Sequence, residues 1–249
     1  MNQRHLIYGR HPVLEALKAG KSFEKILIQQ DARSDELKTI RQLATLHKIP
    51  LQLVPARRLH LITAKNHQGV IGYLSLLPYY KVEDIMLKAY DEGRSPLFLI
   101  LDHITDVRNF GAIARTAELT GVDALIVPEK GSALIHADAI KASAGALHHM
   151  HLCKTSSLRQ TADYLHLNGI RLLAADEKAD KKVFEMDFVP PVALILGAEG
   201  KGISASLNEK ADERFAIPMV GKTGSFNVSV AAGIILYEVM RQRANAPYS

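Results

Sequence analysis

The stretch Leu194-Ile-Leu-Gly-Ala-Glu-Gly-Lys-Gly-Ile203 changes at its fourth residue from apolar side chains to a glycine-rich loop. The apolar run predicts a buried strand. Because glycine has no Cβ, Gly197, Gly200 and Gly202 let the backbone approach a ligand closely and offer it N–H and C=O groups. A single carboxylate, Glu199, lies among these glycines. The stretch therefore predicts a strand that ends in a ligand-binding loop.

A second stretch, Ile217-Pro-Met-Val-Gly-Lys-Thr-Gly-Ser-Phe-Asn-Val-Ser-Val230, has the same order of features. It predicts a strand at 215–220, a loop with two glycines, and a long apolar helix at 227–243. Ser225 or Asn227 is expected to cap this helix, because either side chain accepts a hydrogen bond from the first free N–H groups. Spacing alone leaves open that both stretches are ordinary turns of an α/β domain.

A third stretch, 97–121, again contains a strand, a polar turn and a helix, here predicted at 112–120. Together the three stretches resemble the three signature motifs of the SpoU/TrmH family of RNA ribose 2′-O-methyltransferases. The matching residues are Asn109, Gly111, Arg115 and Thr116 in the first motif, Gly197, Glu199, Gly200 and Gly202 in the second, and Ile217, Pro218, Gly221, Ser225, Asn227, Val228, Ser229 and Ala231 in the third. Phe226 departs from the family, which usually has leucine there.

The resemblance implies that the chain transfers a methyl group from S-adenosylmethionine to a ribose hydroxyl of RNA. The cofactor-binding residues that it implies are Gly197, Gly202, Ile217, Met219 and Phe226. The catalytic residues that it implies are Asn109, Arg115, Glu199, Ser225 and Asn227.

Arg115 has more than one open role. The family's mechanism makes the matching arginine the base, yet a guanidinium has a pKa above about 12 and is normally protonated. We therefore expect Arg115 to grip the substrate phosphate and to offset negative charge on the reacting oxygen, with proton acceptance left open. A simple ion pair with Glu118 or Glu199 is the structural alternative. Glu199 is expected either to orient Arg115 and Asn109 or to cap a turn.

The N-terminal part of the chain predicts a small α/β domain of its own, because short strands and helices alternate over it. The predicted elements are helix 10–20, strand 25–29, helix 35–48, strand 51–54, helix 57–62 and strand 70–74. The excess of basic residues that gives the chain a net charge of +5 is concentrated in residues 1–70. The domain resembles the ribosomal-protein-like (L30e-like) RNA-binding domain that precedes the catalytic domain in larger family members.

We expect RNA contacts at Arg10, His11, Lys65 and His67, which lie at a predicted helix start and in a loop. Each of these side chains has an alternative role as a helix cap or a solvated residue. The predicted organisation is an RNA-binding substrate domain at 1–77, a linker at 78–95 and a methyltransferase domain at 96–249.

The predicted fold class is α/β. Strands separated by helices from Leu97 onward predict a mostly parallel sheet, with ligands bound at the carboxyl ends of its strands. The resemblance implies that this domain carries the deep trefoil knot of the SPOUT class. The last helix is apolar on most sides and needs cover on two faces, and the resemblance implies a homodimer that supplies the second.

The composition excludes several classes of protein. Apolar residues make up 47% of the 249 residues and charged residues 23%, which argues against disorder, and no apolar run approaches the roughly 20 residues of a membrane span. The single cysteine, Cys153, is expected to be a small buried apolar residue. Because residues 1–9 also lack the apolar core of a signal peptide, we expect a cytoplasmic protein with no membrane partner.

Three other kinds of site do not fit the sequence. The stretch 216–223 lacks the first glycine of a phosphate-binding P-loop, and Pro218 stiffens it. The glycines of 197–202 have the wrong order for a dinucleotide fingerprint. The three histidines within 148–151 lack the spacing of metal ligands, so no metal is expected.

The predicted function is 2′-O-methylation of a ribose in structured RNA. The additional N-terminal domain makes the chain resemble most closely the subgroup that acts on a guanosine of 23S ribosomal RNA. A tRNA ribose methyltransferase is the alternative within the family. A ribosome-assembly factor that binds RNA without turnover is the alternative from another class.

Overall fold

The computed structural model describes residues 6–47, 49–129, 131–133, 137–221 and 224–246. Contacts divide the chain into a first unit that ends at Pro78 and a second that begins at Tyr79. Among the described residues, no helix is both long and apolar enough to cross a bilayer.

The first unit is a four-stranded mixed sheet with three helices. Its elements are β1 (Leu6–Tyr8), α1 (Arg10–Lys18), β2 (Phe23–Gln29), α2 (Asp35–Leu46), β3 (Leu51–Val54), α3 (Ala56–Ile62) and β4 (Val70–Leu74). The strand order is β1-β4-β2-β3, in which β4 runs antiparallel to both its neighbours and β2 and β3 are parallel. The predicted elements are confirmed, and β1 is an additional strand that was not predicted.

Two apolar clusters lie on the two faces of this sheet. The larger one joins α1 and α2 to the sheet through buried residues such as Val13, Leu17 and Ile40. The smaller one includes Leu59 of α3 together with Leu27 of β2. The strands alternate between these clusters, as the period of two in a strand requires.

The second unit is a six-stranded parallel sheet flanked by helices. Its elements are α4 (Val82–Asp91), β5 (Leu97–Asp102), α5 (Val107–Leu119), β6 (Ala124–Pro128), α6 (Ala137–Ala142), β7 (His151–Thr155), α7 (Leu158–Leu167), β8 (Arg171–Ala175), β9 (Val192–Gly197), α8 (Ala205–Asn208), β10 (Glu213–Phe215) and α9 (Val228–Ala244). The strand order is β10-β8-β9-β5-β6-β7, and every pair is parallel. The predicted α/β class with a parallel sheet is confirmed.

Helix α4 lies within the stretch 78–95 that was predicted as a linker. Its Val82, Ile85 and Met86 are buried in the main core of the second unit. In the structure this stretch therefore packs as part of the second unit. Cys153 belongs to the same core and is only 3% exposed, which confirms its predicted burial. Burial raises the pKa of its thiol to about 12.

Helix α5 begins five residues earlier than predicted. The carboxylate of Asp106 accepts hydrogen bonds from the backbone N–H groups of Arg108 and Asn109, both at 2.9 Å, and thereby caps the helix. Asn109 consequently lies in the first turn of a helix rather than in a polar turn. Gly111 allows close packing here, because an added Cβ would lie 2.5 Å from Cβ of Ala142.

Two other predicted elements were wrong in extent. The strand predicted at 215–220 ends at Phe215, because Pro218 has no N–H for a sheet and residues 218–220 are exposed. The sequence of 137–149 predicts one continuous helix, but the helix is interrupted after Ala142, since Ala144 and Gly145 have positive φ values of 50° and 89°. A short 3-10 turn follows, and then strand β7, which was not predicted.

Candidate active site

A cleft of about 310 Å³ opens at the carboxyl edge of the parallel sheet of the second unit. Its walls come from the segments that follow β8, β9 and β10 and from the start of α9. All five residues predicted to bind the cofactor line it, namely Gly197, Gly202, Ile217, Met219 and Phe226. Glu199 and Ser225, two of the predicted catalytic residues, line it as well. This edge is where parallel sheets bind their ligands.

The loop after β9 folds back tightly on its own strand. Gly202 N donates to Ala198 O at 2.7 Å, and a Cβ added to Gly197 would lie 2.2 Å from the carbonyl carbon of Gly202. No side chain fits in that space, so glycine at 197 is a steric requirement. The loop therefore presents backbone atoms, rather than side chains, along this part of the cleft.

A buried carboxylate fastens the same loop to the next strand of the sheet. Asp102 at the end of β5 is 5% exposed, and its Oδ2 accepts from Ser204 N at 2.8 Å. Its backbone carbonyl accepts from Ala198 N at 3.1 Å. Asp102 is not among the residues predicted from the sequence, although a carboxylate at the end of a buried strand was a usable signal. Its role is to hold both ends of the glycine loop.

Three of the predicted catalytic residues meet at the start of α9. Asn227 Nδ2 donates to Glu199 Oε1 at 2.5 Å and to Asn109 Oδ1 at 3.1 Å. Glu199 Oε1 also accepts from the backbone N–H of Val228 at 3.1 Å. Asn227 Oδ1 caps the helix by accepting from Ser229 N at 3.0 Å, so Asn227 rather than Ser225 is the cap. The positive end of the helix dipole stabilises the carboxylate of Glu199.

Arg115 stands apart from this cluster. It lies on α5, six residues after Asn109, and its side chain is exposed. Within the described residues, Arg115 has no ion-pair or hydrogen-bond partner. Among these residues Arg115 forms no ion pair with Glu118 or Glu199, and Glu199 does not contact it. The guanidinium is instead available to a ligand.

The cleft has a charged wall that the sequence analysis missed. Ala175 at the end of β8 and the three residues that follow it line the cleft, although the charged sequence of 176–182 by itself indicates a solvated surface loop. Asp176 N donates to Phe215 O at 2.9 Å, and its side chain accepts from Lys178 N at 3.0 Å, which fixes the turn. Only the adjacency of β8 to β9 and β10 in the sheet brings this turn to the cleft.

The four predicted RNA contacts of the first unit have different surroundings. Arg10 Nε donates to Gln68 O at 3.0 Å, and one of its terminal nitrogens lies 3.6 Å from Glu36. His11 is exposed on α1. The Lys65 ammonium lies 5.6 Å from the centroid of the Tyr8 ring.

His67, the fourth, is only 5% exposed, which leaves it little surface for RNA. Its Nδ1 accepts from Gly69 N at 3.1 Å, so its Nε2 carries the proton and donates to Nδ1 of His60 at 3.2 Å. Burial, followed by the neighbouring His60, lowers the pKa of His67. In the structure this histidine orders the loop between α3 and β4.

The residues of the cleft fit S-adenosylmethionine. Backbone N–H and C=O groups of the glycine loop suit the adenosine moiety, and Ile217, Met219 and Phe226 offer apolar surface to the base. The cleft also has carboxylates at Asp176 and Glu199, which complement a cofactor that carries sulfonium and ammonium charges. The described residues contain no cluster of ligands for a metal ion.

Comparisons with known proteins agree with this geometry. Residues 96–237 match the SpoU rRNA methylase family, and residues 6–80 match the substrate-binding domain of RNA 2′-O ribose methyltransferases. YacO of Bacillus subtilis strain 168, whose name places it among TrmH family tRNA/rRNA methyltransferases, is 32% identical over 98% of each chain. A Staphylococcus saprophyticus protein of the same description is 35% identical over 96% of each chain.

Solved structures give the same result. The SpoU methyltransferase AviRb from Streptomyces viridochromogenes, in complex with S-adenosylmethionine, superposes with a TM-score of 0.62 and 25% identity, over 97% of this chain and 91% of that one. The TrmH/SpoU tRNA modifying enzyme of A. aeolicus superposes with a TM-score of 0.56 and 32% identity, over 61% of this chain and 77% of that one.

Fold, cleft and comparisons together define an RNA methyltransferase that uses S-adenosylmethionine. The chain belongs to the SpoU rRNA methylase family and carries the substrate-binding domain of RNA 2′-O ribose methyltransferases ahead of its methyltransferase domain.

Proposed function

We propose that this enzyme methylates the ribose 2′-hydroxyl of a guanosine in 23S ribosomal RNA. The observation that carries the chemistry is the cluster of Asn109, Glu199 and Asn227 at the edge of the cleft, where three motifs that lie far apart in the chain meet. Bound S-adenosylmethionine supplies the methyl group. Because ribosomal RNA is the proposed substrate, the proposed site of action is the cytoplasm.

The cluster is suited to holding a sugar hydroxyl. Asn109 Oδ1 accepts from Asn227, and within the described residues its Nδ2 has no acceptor, so that N–H group is available to a substrate oxygen. Ser225 lies exposed on the wall of the cleft and offers a hydroxyl to the ribose or its phosphate. Glu199 fixes the orientation of Asn227 and thus of the whole cluster.

Arg115 is proposed to bind the substrate phosphate and to offset negative charge on the oxygen that attacks the methyl group. Its guanidinium has no protein partner within the described residues, so binding a phosphate breaks no existing ion pair. Charge-assisted and bidentate hydrogen bonds make arginine well suited to phosphate.

The proposed oligomer is a homodimer through the methyltransferase domain, which we also propose to carry the family's deep trefoil knot. Helix α9 supports the dimer, because Val228, Ile235 and Leu236 are buried whereas Val230 is 50% and Tyr237 65% exposed. An apolar face of this kind needs a partner, and a second copy supplies a self-complementary one.

The choice of 23S ribosomal RNA is supported by the additional first unit, which matches a substrate-binding domain and is proposed to have an L30e-like fold. The tRNA alternative is supported by the likeness to the tRNA modifying enzyme of A. aeolicus, which covers 61% of this chain. Both alternatives use the same cleft and the same cluster.

Transfer of labelled methyl groups to unmodified 23S ribosomal RNA and to bulk unmodified tRNA, with 2′-O-methyl groups mapped in the products, tests the proposal. We expect label in the 23S ribosomal RNA alone, at a guanosine. Label in tRNA alone would contradict the proposed substrate and keep the chemistry. Cofactor binding with no label in either RNA would favour the non-catalytic assembly factor.

A further inference from the structure

The sheet of the first unit carries two tyrosines on the face that also packs against α3. Tyr8 ends β1 and Tyr73 lies in β4, and both pack against the smaller apolar cluster. Helix α3 contacts β2 on this face. The two strands beyond β2 in the sheet are β4 and β1, and there the tyrosines stay half-buried. Part of each ring is therefore accessible to a ligand.

The strand register places these rings side by side. Tyr73 pairs with Leu6 on one neighbouring strand and with Lys25 on the other, and Tyr8 pairs with Ile71. Tyr8 and Tyr73 are therefore diagonal neighbours, a relation that separates Cα atoms by roughly 7–8 Å. Both side chains point to the same face, because residues two apart in a strand do so.

A lysine ammonium group lies near each of these two rings. The Lys25 ammonium lies 4.8 Å from the centroid of the Tyr73 ring, and the Lys65 ammonium lies 5.6 Å from that of Tyr8. Within the described residues, neither lysine has a carboxylate partner. Arg58 lies on α3, the helix that packs against this face of the sheet, and its charge opposes the rise in the pKa of Tyr73 that burial causes.

We propose that Tyr8, Tyr73, Lys25, Lys65 and Arg58, here called the tyrosine face, bind an unpaired segment of the RNA substrate. The inference rests on the proposed function and adds where that substrate binds. Aromatic rings on neighbouring strands form a surface on which unpaired bases stack, and lysine and arginine neutralise the phosphates that follow. Duplex RNA offers no unstacked base to such rings, so the face selects single strands.

Equilibrium binding of the full chain to a short fluorescein-labelled oligoadenylate, compared with a blunt RNA duplex, tests this proposal. We expect tighter binding of the single strand, because only its bases can stack. Tyr73→Leu and Tyr8→Leu should each weaken that binding about 5- to 150-fold, the range that corresponds to the loss of one base stack. Tyr73→Phe keeps the ring and should keep the affinity, which separates stacking from loss of the hydroxyl.

Charge is tested separately. Lys25→Gln should lower the affinity for the oligoadenylate and reduce the slope of log affinity against log salt by about 0.7. Lys38→Gln is the matched control, because Lys38 lies on α2 and pairs with Asp35 at 2.8 Å. It should change neither quantity beyond a general effect of net charge.

Unchanged binding in both leucine variants, with folding intact by circular dichroism, would overturn the proposal and favour a protein partner for this face. Wild-type protein that binds the duplex as well as the single strand would overturn it too. These binding measurements need no methyl transfer, so failure of this inference can be distinguished from failure of the proposed function. Ring-dependent RNA binding without methyl transfer refutes the proposed function alone, and methyl transfer with neutral tyrosine variants refutes this inference alone.

Discussion

The cleft of the second unit and the tyrosine face of the first use different atoms for recognition. The cleft is formed largely by backbone, in a loop that leaves no space for a Cβ at Gly197. The tyrosine face is formed by side chains, of which Tyr8, Tyr73 and Lys25 stand on regular strands. Its proposed contacts with a ligand are rings and charged side-chain ends rather than backbone groups.

This difference predicts how each region tolerates change. A methyl group added at Gly197 must displace backbone atoms, which cannot move aside by a change of rotamer as a side chain can. A changed side chain on the tyrosine face removes one stacking or ionic contact and leaves the strands in place. We therefore expect abrupt losses in the cleft and graded losses on the face.

The largest expected effect is at Arg115. Arg115→Ala should lower methyl transfer about 10³-fold, because it removes the proposed cation at the reacting oxygen, and should leave affinity for S-adenosylmethionine nearly unchanged. Single-turnover transfer and calorimetric cofactor binding measure the two quantities. Arg115→Lys keeps the charge without the planar fork and should recover part of the rate. Loss of cofactor binding in a folded variant would instead assign Arg115 to the cofactor site.

Gly197→Ala should weaken binding of S-adenosylmethionine about 100-fold, since the new Cβ would meet the Gly202 carbonyl carbon at 2.2 Å. Isothermal titration calorimetry measures the change. The control is Gly221→Ala in the third motif, where an added Cβ meets no atom within 4 Å. Equal losses in both variants would show that the tight turn after β9 has no special importance. That result would contradict the expectation that the backbone of the cleft is unusually intolerant of an added methyl group.

A buried arginine outside the cleft tests how much the position of helix α9, whose start forms part of the cleft wall, depends on polar contacts. Arg243 in α9 donates to the carbonyls of Ser95 at 2.7 Å, Phe188 at 3.0 Å and Pro190 at 3.1 Å. Burial lowers the pKa of its guanidinium. Arg243→Met leaves these carbonyls without their donor and should reduce the free energy of unfolding by about 2–3 kcal/mol.

Urea unfolding measures this loss. Arg241→Met is the matched control on the same helix, because Arg241 is exposed and, in the described part of the chain, pairs only with Glu238. It should leave the unfolding midpoint nearly unchanged. If both variants unfold alike, the carbonyl contacts of Arg243 contribute little, and the position of α9 depends on its apolar face alone.

The smallest expected effect is a pH dependence in the first unit. The folded unit holds the pKa of His67 below its ordinary 6.5, so the unfolded chain binds a proton more readily. Stability is therefore full above about pH 6.5 and falls as the pH drops toward the lowered pKa. Between about pH 7.5 and 5.5 we expect a loss on the order of 1 kcal/mol.

Thermal unfolding of His67→Gln should show a flatter pH dependence, because glutamine does not titrate. His11→Gln, at an exposed position on α1, is the control and should keep the wild-type slope. A slope that persists in His67→Gln would place the responsible group elsewhere. Because His67 orders the loop that carries Lys65, acidification should also weaken RNA binding at the tyrosine face more than cofactor binding in the cleft.

Local patterns were sufficient for most elements and for most of the cleft. The apolar run that gives way to glycines at 197 predicted β9 and its loop. The third motif predicted α9 and a cap at Ser225 or Asn227, and the structure has Asn227 as the cap. Local patterns failed where a side chain or an imino acid changed the backbone. Asp106 starts α5 early, and Pro218 ends the strand that was predicted to continue to Val220.

The sequence by itself determined the elements, the glycine loops and the family, because these depend on neighbouring residues and on the order of motifs. Only the tertiary structure showed which distant residues meet. It brought Glu199 to Asn227, left Arg115 without a partner among the described residues, and placed residues 175–178 in the cleft. It also buried His67 and set Tyr8 beside Tyr73. Strand order and register decide these contacts, and both depend on how the whole sheet packs rather than on any one segment.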